Sequence, residues 1–193
     1  MDRLLAASAA IESALYRTAM VAGWMFVVAT IVIVFDVISR KFGFQLPGLG
    51  STRLQELEWH LHTALFSFWL GFAYLKNVHV RIDIAIVNAR PRTHAWLELV
   101  GIGIFALPYC LIAIYFSADF TWIAWTLNES SDSATGLPRR WIPKAFITAG
   151  LVLLLAAVVG AAMRLVVFLW GPERLRRASA FAGASSHPAE GAT

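Results

Sequence analysis

Charge is what this chain most lacks. Only 15% of its 193 residues are Asp, Glu, Lys or Arg, against 59% hydrophobic, which is too little charge for an ordinary soluble domain. The shortage is concentrated in four runs, 18–35, 59–75, 99–118 and 145–163, which contain no Asp, Glu, Lys or Arg. Strict polar–apolar alternation is missing too, which argues against half-buried strands. Cysteine is nearly absent: Cys110 stands alone inside the third run, so no intramolecular disulfide is possible and the redox compartment stays open. There it is expected to be a small packing residue. No Gly-rich phosphate loop, nucleophile elbow or zinc-protease motif occurs, nor any internal repeat, and nothing resembles the equipment of an enzyme.

What is present fits a bilayer. A crossing helix needs about 20 residues, and in lipid every backbone group needs an internal partner, so runs of this length predict helices. The expected fold is an all-α membrane protein with four transmembrane helices in one domain, residues 1–171. A basic and then disordered cytoplasmic tail is expected over 172–193. The first run is longer than a signal-peptide core and is followed by Asp36, Arg40 and Lys41 instead of a cleavage site, so it is expected to be retained.

The formal charge of +4 is explained by the positive-inside rule, without nucleic acid as a partner. Ten cations (Arg3, Arg17, Lys76, Arg81, Arg90, Arg92, Arg164, Arg174, Arg176, Arg177) fall at one set of helix ends. Six (Arg40, Lys41, Arg53, Arg139, Arg140, Lys144) fall at the other. Both termini and the middle loop are therefore expected on the cytoplasmic side.

Residues 2–16 place Leu4, Leu5, Ile11 and Leu15 near helical spacing, which predicts a short interfacial helix before the first crossing. Asp36 and Arg40 are four apart and can pair. Gly43, Pro47, Gly48 and Gly50 break the chain into an outer loop, after which Ser51 or Thr52 can cap the second helix, with Gln55 or Glu56 near the third position. Thr93 can cap the third helix, and Pro108 should bend it. Pro143 suits the start of the fourth. Trp122, Trp125 and Trp141 read as aromatics of the outer boundary, and Arg164 as a snorkelling cation of the inner one.

The candidate site residues cluster at helix ends. Glu56 with His60, and Glu58 with His62, have i,i+4 spacing. Alternate residues on a helix point about 200° apart, so His60 and His62 do not converge on one metal ion. Haem between axial histidines needs two at similar depth on facing helices. His60 and His62 lie at the outer end of the second helix, whereas His79 and His94 flank the middle loop. A haem-bearing membrane anchor of a redox enzyme is the rival reading, and no cofactor is expected. Transport sites place ionisable groups within the membrane, but the central parts of all four runs have none.

Two stretches carry a resemblance: E-L-E-W-H followed by an apolar span and L-G-F-A-Y-L-K-N-V-H-V-R-I-D at residues 56–83, and G-L-P-R-R-W-I-P-K at 136–144. With them the chain resembles the small membrane subunit, the DctQ type, of tripartite ATP-independent periplasmic (TRAP) transporters. The resemblance covers about residues 15–171 and implies a multi-pass protein of the bacterial inner membrane, in a sodium-driven uptake system for organic acids or related solutes. Its implied partners are a large permease subunit, a periplasmic solute-binding protein and membrane lipid, and its implied role is a structural scaffold. Family sodium and substrate sites belong to the large subunit, so none is carried over. On this reading His79, Arg81 and Asp83 organise the cytoplasmic turn. Asp36, Arg40, Glu56, Glu58 and His60 either form a polar seam to the large subunit or pair only locally at i,i+4 spacing, and Arg53, Arg139 and Arg140 face either the docked binding protein or lipid headgroups.

Overall fold

The computed structural model describes residues 1–44, 47–76, 78 and 90–179. Its helices are α1 (Asp2–Phe42), α2 (Ser51–Leu75), α3 (Pro91–Gly101), α4 (Leu107–Thr126), α5 (Trp141–Trp170) and the short α6 (Glu173–Ala178). A π-helical turn, Ile102–Ala106, joins α3 to α4, so 91–126 forms one rod.

Three of these helices are long and apolar enough to cross a membrane: Asp2–Phe42, Pro91–Thr126 and Trp141–Trp170. α2 has 25 residues but is less apolar, because Arg53, Glu56, Glu58, His60 and His62 occupy its first half. Of the four expected spans, three therefore meet the length and hydropathy of a crossing helix by themselves. Residues 2–16 do not form a separate interfacial helix. They continue into the first run within a 41-residue helix, about 60 Å long at 1.5 Å per residue, since it holds no Pro and its one Gly, Gly23, stays helical.

Gly43 ends α1 in the left-handed region at φ 70°, with its N–H on the Arg40 carbonyl. A residue without Cβ adopts that conformation without strain. α2 starts from Gly50 in the N-cap position, and no side chain caps it, so neither Ser51 nor Thr52 plays the expected part. Thr93 is likewise not a cap: Arg90 holds that position and Pro91 is the first residue of α3, where its missing N–H costs nothing. The disturbance expected from Pro108 falls just before it. The Leu107 N–H reaches the Ile102 carbonyl, a widened turn that makes room for the proline ring on its N-terminal side.

α5 packs against α1, α2, α3 and α4. Its tightest approach is to α2, where glycines of each helix meet the other's backbone. A Cβ on Gly150 would lie 2.5 Å from the Ser67 carbonyl oxygen, and one on Gly71 would lie 2.6 Å from that of Leu153. Small residues at such crossings let helix backbones close together, as is common in membranes. The Trp69 indole N–H donates to the Ala19 carbonyl at 2.8 Å, tying α2 to α1. On the other side of α5, Ile102, Cys110, Val158, Ala161 and Leu165 form a buried cluster, so Cys110 is the packing residue expected.

The outward faces stay apolar. Trp24 is 72% exposed and Tyr115 69%, a pattern suited to lipid or to a membrane partner. Aromatic pairs mark the two ends of α5: Trp125 with Trp141 at 4.5 Å between centroids, and Trp96 with Trp170 at 5.0 Å. A 30-residue helix places these pairs about 45 Å apart, close to the thickness of a bilayer with its headgroups, about 40–45 Å.

Candidate functional site

The ionisable groups gather at the two ends of the helix bundle. At one end Asp36, 1% exposed, pairs with Arg40 at 2.8 Å, as the i,i+4 spacing predicts. Its other oxygen accepts the Ser51 hydroxyl at 2.9 Å, so Ser51 closes the α1–α2 corner instead of capping a helix. Glu58 lies in the field of Asp36 and Arg40, and its Oε1 is buried with no hydrogen-bond partner among the described residues.

Glu56 does something that its local spacing does not foretell. Its carboxylate accepts the Ser131 hydroxyl and, at 2.5 Å, the Leu137 N–H. The two stretches singled out in the sequence thus meet in space. Gly136 makes room for the contact, because a Cβ there would lie 2.7 Å from Glu56 Oε1. Burial pushes the Glu56 carboxyl up, but the hydrogen bonds from Leu137 and Ser131, helped by Arg140 and His60, hold it below the ordinary glutamate range. His60 donates its ring N–H to the Glu56 carbonyl oxygen and does not pair with the carboxylate. Glu58 and His62 form no ion pair among the described residues, and His62 is exposed.

The α4–α5 loop is bonded throughout. Arg140 N–H reaches the Glu129 carbonyl at 2.9 Å and Ser131 N–H the Leu137 carbonyl at 3.1 Å. Lys144 pairs with Glu129 at 2.5 Å and lies 3.6 Å from the Phe120 ring centre. Arg140 pairs with Asp132 at 3.1 Å. Arg53 donates to the carbonyls of Thr135 and Gly48 at 3.1 and 2.7 Å, so it ties α2 to both outer loops. Arg139 differs from these two: its φ is 64°, uncommon for a residue with a side chain, and its exposed guanidinium has no acceptor among the described residues.

The opposite end holds a cluster that sequence reasoning missed. Glu12 lies between Lys76, at 3.2 Å, and Arg164. The Arg164 Nε donates to the buried Ser8 hydroxyl at 2.7 Å. Arg164 therefore does not snorkel to water; it joins α5 to α1, while Lys76 adds α2. Partners 152 residues apart leave no spacing signal; the only hint was a lone acid facing lone cations at one predicted boundary. His79, Arg81 and Asp83 lie outside the described residues. His94 Nδ1 stands 3.9 Å from Glu98. Among the described residues no group of three or more His, Cys, Asp or Glu is placed to hold a metal ion.

Long apolar helices, aromatic pairs one bilayer apart and ionic ties at both ends define an integral, multi-pass membrane protein. Its family follows from comparison with known proteins. The family described as tripartite ATP-independent periplasmic transporters, DctQ component, matches residues 29–168, and the chain belongs to it. It is the small membrane subunit of a TRAP transporter. No curated protein and no solved structure matches the chain. The matched region contains Asp36, Glu56, the α4–α5 loop and Arg164, but not Ser8 or Glu12.

Proposed function

We propose that this subunit is the static frame of a sodium-driven uptake system for organic acids or related solutes in the bacterial inner membrane. The large permease subunit moves the solute that a periplasmic binding protein delivers. The observation that carries the scaffold reading is the use of ionisable groups. Glu12, Asp36, Glu56, Glu129, Arg164 and Lys144 all tie one element of this chain to another, and a unit locked at both ends suits the unmoving side of a transporter. Four crossings with both termini inside fit the packing. α2 meets α1 at both ends of the bundle, through Ser51 at one and Lys76 at the other, so it runs through the same depth as α1. The cation bias also favours the Lys76 end as cytoplasmic.

On this reading the seam to the large subunit runs over Asp36, Arg40, Glu56, Glu58 and His60, and the buried oxygen of Glu58 is the group with most to gain from a partner's donor. His79, Arg81 and Asp83 organise the cytoplasmic turn. Arg53, Arg139 and Arg140 give the outer face a positive charge, for the loaded binding protein or for lipid headgroups. The test is sodium-driven uptake in proteoliposomes holding the large subunit and binding protein, with and without this chain. Uptake that needs the chain, and none from the chain alone, is expected; equal uptake without it would remove the scaffold role. Replacing the three arginines by Ala should flatten the salt dependence of uptake, and an unchanged dependence would remove them from docking.

A further inference from the structure

An apolar groove runs down the membrane face between α4 and α2, with α5 as its floor. Its volume is about 720 Å³, and Thr18, Phe68, Thr121, Trp122, Ala149 and Leu153 are among the side chains that line it. The threonines do not make it polar. Thr121 donates to the Ser117 carbonyl at 2.8 Å and Thr148 to that of Lys144 at 3.4 Å. The small side chains of Ala118, Ala145 and Ala149 leave the trough open. Trp125 and Trp141 close its loop end and also border a second, more polar pocket of about 300 Å³ with Asn128 and Arg139. The two spaces thus share one pair of indoles as a common wall.

Depth and charge select the occupant. From Trp141 to Leu153 the floor descends about 18 Å, close to half of the roughly 30 Å hydrocarbon core, which is the depth of a single leaflet. At the top, the acids of the loop are already used: Glu129 by Lys144 and Asp132 by Arg140. Arg139 is the loop cation left without a counter-charge among the described residues, and it stands at the level of the interfacial tryptophans. We propose that this face binds one phospholipid. An acyl chain fills the groove, and the phosphate of its headgroup pairs with Arg139. A protein helix would fill the apolar trough as well but gives no account of an unneutralised guanidinium at its mouth.

The test is native mass spectrometry of the full chain, delipidated in detergent and titrated with phosphatidylglycerol. One lipid should bind per chain. Arg139→Gln should weaken it about fivefold, the usual share of one basic side chain near an anionic surface, and Arg139→Lys should restore most of the loss. Ala149→Leu should abolish the complex, and its unchanged far-UV circular dichroism would show that the helices persist. Millimolar inorganic phosphate should not compete. Binding that is indifferent to both Arg139→Gln and Ala149→Leu would overturn the proposal. So would full competition by phosphate, or cross-linking of a photoreactive residue at position 149 to the large subunit in the assembled transporter.

Discussion

Replacing Glu56 by Ala should detach the α4–α5 loop from α2. The carboxylate accepts two bonds, from the Ser131 hydroxyl and the Leu137 N–H. A hydrogen bond to a charged group contributes about 1.5–3 kcal/mol. Ser131 recovers part of its loss by turning its hydroxyl, but the Leu137 N–H is fixed by the backbone, so the net cost is estimated at about 2–4 kcal/mol. Glu56→Gln should be far milder, about 1 kcal/mol, because the amide oxygen can still accept Leu137 and its NH₂ can donate to Ser131. Glu56→Asp, one methylene short, should resemble Ala. Hydrogen exchange of the 128–140 segment reads this directly: protection should fall in the Ala and Asp variants and survive in Gln. The depressed carboxyl adds a pH signature. A group whose folded-state pKa is lowered stabilises above the ordinary glutamate range and loses that contribution as pH falls through the folded value. Wild-type loop protection should therefore decline below about pH 4, and the decline should be weaker in Glu56→Gln. Equal exchange in all four proteins at neutral pH would refute the tie.

Gly150→Ala places a Cβ against the Ser67 carbonyl and should lower the melting temperature in detergent by the equivalent of about 1–3 kcal/mol. Gly101→Ala and Gly103→Ala, with nothing within 4 Å of their Cβ positions, should leave it unchanged or raise it slightly. A double-mutant cycle on Glu12 and Arg164 should give a coupling of about 1–3 kcal/mol, whereas free snorkelling of Arg164 would give none.

The apolar runs were plain in the sequence because a bilayer imposes one length and one composition on whatever crosses it. Asp36–Arg40 was legible for the same kind of reason: its partners lie on one helical face, and spacing alone brings them together. Glu56 was singled out with His60, which adds only its charge, and its hydrogen-bond donors were missed. The nearest candidate by spacing was His60, while the true donors come from a loop about 80 positions away whose approach depends on Gly136. The α2 start was misread similarly, since Ser51 has the chemistry of a cap but finds Asp36 first. Arg164 was read as a snorkelling cation of the inner boundary, without Glu12 as its partner. Their meeting follows from the antiparallel packing of α1 and α5, which no local pattern encodes. The hydropathy of α2 shows the limit from the other side: its span reads clearly only when the polar start, which serves the loop and the α1 corner, is set apart from the apolar remainder.

The most direct measurement is affinity purification of the tagged chain from its native membrane in mild detergent, followed by mass spectrometry and an absorption spectrum. A large multi-helix permease at fixed stoichiometry, with no Soret band, is the result expected of a transporter frame. A chain that purifies alone, or with a haem-containing redox enzyme, would contradict it.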